Sequence, residues 1–485
     1  MSTSCSGGGG HLLVFPYPAP GHMTPLLHLT HQLASRGFTI SILVTPKNLP
    51  LLNPLLSKHP SLVHPLVLPF PPHPALPAGV ENVKDLPPTA FPALMHSMHQ
   101  LYTPILHWFR SHSSPPTFII SDMFLWWTQK LADDLSIRRF MFSSSGFMAM
   151  DIIYSLRRHP PKGGGPDDPD HLIAISEVPS SPVYPWWQLQ FLYSTGSYVE
   201  GDPVSEFLKH GVLANNSSWG MIFNSFSGLE RVYLEHLKEQ VGHDRVWAVG
   251  PLLPPVAPLA SNIKKSDGLD YTDADDILSW LDKCEDQSVV YVCFGTQSVL
   301  NPNQMAAIAS GLEESGAKFI WRVKEMNVGM VPQGFEDRVA GSGRGLIAKG
   351  WAPQTMILRH RAVGAFLTHC GWNSVLEGIM GGVPMLAWPM EGEQFLNAKL
   401  LVEELKVASR VCEGAQTVPD SGELAQLVAK SVGANRDENV KAMHVRAMQL
   451  GKAASDSIKE GGGSCQDLDG LAAHILLQDA GEDSN

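Results

Sequence analysis

Three short stretches hold residue types that chemistry needs. Residues Thr368–Pro384 read THCGWNSVLEGIMGGVP. GAFLTHC predicts a strand, GWNS a tight turn, and VLEGIMGG the start of a helix with Asn373 or Ser374 near its N-cap. A helix N-terminus offers backbone N–H groups and partial positive charge, and diphosphates bind there at the carboxyl edge of a parallel sheet. His369, at the strand end, can add a donor to the same anion. Glu377 has two readings at this stage. With Ser374 it has the spacing of a capping box, in which both residues only close the helix start; it can instead accept ribose hydroxyls. A metal pair of His369 and Cys370 lacks further ligands in the local spacing.

The second stretch, FPYPAPGHMTPLLHLTHQLASRG, puts His22 between a strand and a helix. Thr24 suits an N-cap, Pro25 a first turn and Gly37 a helix stop. His22 is then expected on a strand-to-helix loop, where α/β proteins bind ligands. A neutral imidazole there can act as a general base, or it can simply bond loop backbone. In the third stretch, FIISDMFLWW, Asp122 ends a strand. It can accept the other N–H of His22, fixing the tautomer and stabilising the imidazolium, or it can cap a loop. The pairs His28/His31 and His96/His99 have metal-like spacing but read better as helix-surface residues. Asp273-Ala274-Asp275 formally matches a DxD metal motif and reads better as an acidic helix start.

These side chains need elements to hold them. Short apolar runs alternate with helical patterns along the 485 residues. In the first half the expected strands are His11–Phe15, Phe38–Val44, Leu62–Leu68, Phe118–Ser121, Arg139–Ser143, Met221–Asn224 and Val246–Val249. In the second half they are Val289–Phe294, Phe319–Val323, Gly345–Lys349, Ala365–Thr368, Met385–Ala387 and Ala408–Val411. This alternation predicts an α/β fold with parallel sheets, and the strands are too many for one open sheet. The boundary falls in the Pro-rich, then polar segment 251–272. KGGGPDDPD and GSGRG read as loops; GSGRG precedes a strand, so it is no dinucleotide fingerprint, and no P-loop is present.

Composition narrows the function. Hydrophobic content of 44% with 17% charged residues is that of a soluble globular chain. A net charge of −12 argues against a nucleic-acid partner, while a local basic pocket for a small anion is allowed. The six cysteines form no CxxC pair, so neither a zinc site nor a disulfide framework is expected. The start, MSTSCSGGGG, has no secretory pattern, and no apolar run reaches the ~18 residues of a membrane span. The cytosol is the default compartment, and the sequons in Asn215-Asn216-Ser217-Ser218 are expected to go unused.

Beyond these physical readings, Trp351–Gln394, WAPQTMILRHRAVGAFLTHCGWNSVLEGIMGGVPMLAWPMEGEQ, resembles the signature box of plant family 1 UDP-dependent glycosyltransferases. GHMTP resembles that family's catalytic-His loop, SDMF its catalytic-Asp strand, and WGMIFNSFSGLE a recurrent segment. Within the family the chain is most similar to the UGT89 group of flavonol and phenolic glycosyltransferases. The resemblance implies a GT-B fold of two facing Rossmann-like domains. Residues 1–250 would bind the acceptor, 273–460 the UDP-sugar, and 461–485 would form a helix returning to the first domain. It implies an inverting, metal-independent hexosyl transfer with no cofactor, the UDP-sugar being a co-substrate, carried out by a monomer.

Residue by residue, His22 would be the base and Asp122 its orienter. Trp351 would stack on uracil and Ala352 pair its edge, while Gln354 and Glu377 meet the ribose. His369, Asn373 and Ser374 would hold the phosphates, with Gly295 and Thr296 of CFGTQS resembling the family's phosphate loop. Cys293, Thr296 and Gln297 depart from its usual SFGS. Trp372, Glu393 and Gln394 would bind the sugar, and Ser144 would lie near it. A closing Gln394 favours UDP-glucose, with UDP-rhamnose or UDP-xylose as alternatives. Aromatic stretches containing Phe124, Trp127, Phe147, Trp187 and Phe191 would line the pocket of a flavonoid-like acceptor, or of a terpenoid or benzoate. The same stretches also read as core packing. A catalytically silent nucleotide-sugar binder is the rival class.

Overall fold

The computed structural model describes residues 10–193, 202–209, 211–253, 274–434 and 436–479. The chain divides into two compact units: residues 1–253 with 457–485, and residues 254–456. The expected linker and Asp273 lie largely outside the described residues.

Unit 1 contains strands β1 (His11–Phe15), β2 (Thr39–Val44), β3 (Val63–Val67), β4 (Phe118–Asp122), β5 (Arg138–Ser143), β6 (Leu172–Ala174), β7 (Val183–Pro185), β8 (Gly220–Phe223) and β9 (Val246–Ala248). Seven of them form a parallel sheet in the order β3-β2-β1-β4-β5-β8-β9. The strand pattern dictates two buried faces. In β1, Leu12 and Val14 enter one apolar cluster, and Leu13 and Phe15 enter the other. The strands were expected within a residue or two of these limits. The exception is the antiparallel hairpin β6–β7, whose strands are three residues each. Such short strands leave no periodicity to read.

The order of the sheet reverses between β1 and β4, which are paired with Phe15 opposite Ser121. That reversal is a topological switch point, where open α/β sheets bind ligands at the carboxyl ends of their strands. The helix Gly463–Asp479 completes this unit. Its Leu468, Leu471, Ala472 and Ile475 join the cluster of Leu12 and Val14. Asp467 Oδ2 accepts from Ala248 N at 2.8 Å, and Asp469 pairs with Arg36 at 2.7 Å.

Unit 2 repeats the plan. Strands β10 (Val289–Cys293), β11 (Lys318–Val323), β12 (Gly345–Lys349), β13 (Val363–Thr368), β14 (Met385–Ala387) and β15 (Ala408–Arg410) form a parallel sheet in the order β12-β11-β10-β13-β14-β15. Its switch point lies between β10 and β13, with Cys293 opposite Thr368. Cys293 and Cys370 are buried thiols, as free cysteines in apolar strand patterns usually are. Among the described residues no helix is long and apolar enough to cross a membrane.

Candidate active site

His22 and Asp122 meet at the switch point of unit 1. His22 Nδ1 lies 2.8 Å from Asp122 Oδ2. An Nδ1–H donated to the carboxylate leaves the ring's lone pair on Nε2, the atom a general base uses. The other oxygen, Oδ1, accepts from Phe124 N at 2.9 Å and caps the short turn Met123–Leu125. The two readings of Asp122 therefore coexist, one on each oxygen. Asp122 is fully buried, while the His22 side chain keeps 18% exposure.

The local structure corrects one expectation. The helix runs Pro20–Ala34 with Ala19 as its N-cap, so Pro25 lies inside it and Thr24 caps nothing. Two prolines compete for the first turn, and Pro20 takes that position. His22 thus sits in the first helical turn and not on a loop, its N–H bonded to Ala19 O at 3.0 Å. This backbone fixes the ring more firmly than a loop would. Phe124 packs on the ring with centroids 4.7 Å apart, and Tyr17 meets it edge-on at 5.6 Å. Burial and the neighbouring Asp122 push the Tyr17 hydroxyl well above its ordinary pKa, so it stays neutral. Ser144 Oγ stands 3.1 Å from His22 Nδ1, beside the pair.

The expected acceptor residues separate. Phe124 lies against His22. Phe147 is fully buried and stacked on Phe223 with centroids 4.2 Å apart, and is therefore a packing residue. Trp127 is also core, 6% exposed and packed edge-on against Phe15 and His99. Trp187 and Phe191 lie on the helix Trp186–Tyr193, where Phe191 is 53% exposed.

The second cluster gathers at the switch point of unit 2. The helix Trp372–Gly381 is N-capped by Gly371, and no side chain caps it. Asn373 and Ser374 therefore stand in the first turn, and the capping-box reading of Ser374 and Glu377 fails. Glu377 instead accepts from Gln354 Nε2 at 2.5 Å and from Thr355 Oγ1 at 3.1 Å. Gln354 Nε2 is also 3.2 Å from Ser374 Oγ, and Tyr291 donates to Gln354 Oε1 at 3.2 Å. Burial raises the pKa of Glu377 against the pull of these two donors. Trp351, 46% exposed, precedes this group, and Ala352 is buried with its carbonyl accepting from Gln354 N at 2.8 Å.

His369 is wedged between the backbones of Gly295 and Gly371. A Cβ on Gly295 would come within 2.6 Å of its ring, and one on Gly371 within 2.5 Å. Gly295 also has φ +68°, which favours glycine. Desolvation, with help from Lys324, lowers the His369 pKa to about 4, so the ring is neutral at physiological pH. It offers one N–H to an anion and no charge.

Thr296 is exposed on the loop after β10, and Trp372 is only 3% exposed at the helix start. Glu393 precedes the helix Gln394–Lys399, and Gln394 Oε1 accepts from Met390 N at 3.0 Å. Sequence reasoning missed Arg322, which bonds Gly350 O at 2.6 Å and Gly295 O at 2.8 Å. It thereby fixes both the loop after β10 and the approach to Trp351. An arginine inside the apolar run FIWRV was the available signal.

The model of the family described as UDP-glucoronosyl and UDP-glucosyl transferase matches residues 236–417. The chain is 51% identical to UDP-glycosyltransferase 89B2 of Stevia rebaudiana, covering 98% of this chain and 100% of that one. It is 50% identical to the flavonol 3-O-glucosyltransferase UGT89B1 of Arabidopsis thaliana, covering 96% of each. The chain belongs to the plant family 1 UDP-glycosyltransferases, in their UGT89 group. Among solved structures it resembles Arabidopsis thaliana UGT89C1 complexed with UDP-L-rhamnose, at 37% identity and TM-score 0.78, covering 97% of this chain and 100% of that one. UGT89C1 complexed with quercetin matches with TM-score 0.76 at the same identity and coverage. This glycosyltransferase accordingly has the GT-B fold, with two Rossmann-like units built on the sheets described above.

Proposed function

We propose that this enzyme transfers glucose from UDP-glucose to a hydroxyl of a small phenolic acceptor, a flavonoid by class, with inversion at the anomeric carbon. The observation that carries this reading is the 2.8 Å bond between His22 and Asp122 at a sheet's switch point. Unit 1 would supply the acceptor site and its base; unit 2 would supply the donor site.

The acceptor oxygen attacks the anomeric carbon as the bond from that carbon to UDP breaks. Its proton passes to His22 Nε2, and the Asp122 carboxylate stabilises the imidazolium formed. A phenol, with a pKa near ~10, surrenders that proton more readily than an aliphatic alcohol. Charge growing on the leaving UDP meets the N-terminus of the helix Trp372–Gly381, the N–H of His369, and the side chains of Asn373 and Ser374. Gly295 and Thr296 would border the same phosphates. Those groups supply the stabilisation without a metal or resident cofactor, so activity should persist in EDTA. Glu377, positioned by Gln354 and Thr355, would accept the ribose hydroxyls, and Trp351 would stack on uracil with Ala352 at its edge. Trp372, Glu393 and Gln394 would contact the sugar. Phe124, Trp187 and Phe191 are the acceptor contacts that remain after Phe147 and Trp127 are assigned to the core. The chemistry needs no second copy and no membrane, in keeping with a cytosolic monomer.

A flavonoid acceptor is supported by the relative named for flavonol 3-O-glucosylation and by the neighbour complexed with quercetin. The neighbour complexed with UDP-L-rhamnose favours a second donor reading, UDP-rhamnose. Mass spectrometry of products from a phenolic library, with UDP-glucose, UDP-rhamnose and UDP-xylose in parallel, decides between them. The expected products are heavier by one hexose. No product from any donor would leave a silent nucleotide-sugar binder.

A further inference from the structure

Arg139 is fully buried on β5, one strand away from the catalytic edge. Among the described residues its guanidinium bonds only neutral oxygens. Nε donates to Ser121 Oγ at 2.7 Å; Nη1 donates to Asn215 Oδ1 at 3.0 Å and Ser218 Oγ at 2.7 Å; Nη2 reaches the Asp122 carbonyl at 3.5 Å. Burying a cation without a carboxylate against it is costly, and an apolar side chain of similar volume would often be more stable. Desolvation lowers even this guanidinium to a pKa of about 9, with Tyr154 and Asp122 the groups that act against the fall.

The bonds converge on one piece of backbone. Asn215, held by Arg139, donates from Nδ2 to Met123 O at 2.9 Å. Ser121 Oγ contacts Thr128 Oγ1 at 2.7 Å, and Thr128 donates to Leu125 O at 2.7 Å. The network therefore fastens Ser121, Asp122, Met123 and Leu125, the turn that aims the Asp122 carboxylate at His22. Asn215 is fully buried in the same network, which also leaves its sequon closed to glycosylation in the folded chain.

We propose that Arg139 is a positioning residue of the His22–Asp122 pair: its fork sets the Asp122 turn, and through it the proton-accepting orientation of His22. This rests on the assignment of His22 as the base. Misplacing a reacting group by about 1 Å costs on the order of 100-fold in rate.

The test compares two phenolic acceptors that differ only in a ring nitro group, which acidifies the reacting hydroxyl, at saturating UDP-glucose. An acceptor that is already ionised needs no base. Arg139→Met should lose about 10- to 100-fold in kcat on the parent phenol. That loss should shrink on the nitro-phenol, while KM for UDP-glucose, from a separate titration of the donor, stays unchanged. Arg139→Lys keeps the charge without the fork and should restore little. Equal losses on both acceptors, or full rescue by Lys, would overturn the proposal. If Arg139→Met does not fold, Ser218→Ala, which removes one arm of the fork, should show the same acceptor dependence at smaller amplitude; its absence would overturn the proposal too. His22→Ala serves as the reference. If its own loss ignores acceptor acidity, the base assignment falls and takes this inference with it. If His22→Ala shows the dependence and Arg139→Met does not, only the positioning role falls.

Discussion

Among the described residues of unit 1, two fully buried aspartates bond a histidine through the same pair of atoms. His22 Nδ1 meets Asp122 Oδ2 at 2.8 Å, and His236 Nδ1 meets Asp151 Oδ2 at 2.5 Å. Both aspartates are fully buried, and the histidines keep 18% and 16% exposure. Pair geometry cannot tell them apart; their places in the fold can. Asp122 ends a parallel strand at a switch point. Asp151 and His236 lie within the helices Phe147–Arg158 and Ser227–Val241. His236 Nε2 is taken up by Gln240 Nε2 at 3.3 Å, so its lone pair is spent inside the pair's own helix. Asp122 has partners on both oxygens, whereas Oδ1 of Asp151 has none. The first pair therefore stands where open α/β sheets bind ligands, and the second stands between two helices.

The comparison breaks most visibly in turnover. His22→Ala should lower kcat by about 10²- to 10⁴-fold, the usual weight of a general base, with UDP-glucose binding intact by calorimetry. His236→Ala should leave kcat within about twofold. Comparable losses would mean that position in the sheet is not what separates the pairs.

The aspartates should differ in a second way. Asp122→Asn presents one acceptor where two are used. It should reduce kcat by about 10²-fold or more and lower Tm, since a buried donor is left unpaired. Asp151→Asn should leave kcat unchanged.

The smallest effect concerns pH. Burial raises the Asp151 carboxyl from its ordinary pKa of 3.8 to about 6, although the His236 bond pulls it down. Between those values the folded state holds a proton that the unfolded state has released, so stability falls as pH rises through that window. Relative to the native chain, Asp151→Asn should therefore gain about 1–3 °C in Tm at pH 8. The gain should vanish below about pH 4. A gain that persists at low pH would assign the effect to packing instead of the buried charge.

The strands, and hence both switch points, were legible because parallel strands buried on two faces are written as continuous apolar runs. The grouping of Gln354, Ser374 and Glu377 involves residues that are close in sequence. What escaped was set by contacts between distant segments. Local spacing left Glu377 with two readings, a cap or a ribose contact, and Gln354 and Thr355, on the preceding helix, are what hold its carboxylate away from the helix start. Phe147 looked like a pocket residue because an aromatic in the core and one on a ligand wall have the same local pattern. Arg139 and Arg322 lie in apolar strands, and their partners are carbonyls and hydroxyls that no spacing rule connects to them. The start of the helix at Pro20 was lost to a second proline with an equally good local context.

The helix Gly463–Asp479 has a consequence for biosynthesis. Unit 1 is made of two pieces of chain with the whole of unit 2 between them. On the ribosome, residues 254–456 emerge before Leu471 and Ile475 exist to cover the face formed by Leu12 and Val14. The order of completion is therefore inverted: the later-encoded sheet can close first, and the earlier one waits with apolar surface open. Domains that fold as they are synthesised usually finish from the N-terminus. Here the unit that carries the His22–Asp122 pair is the last to be finished.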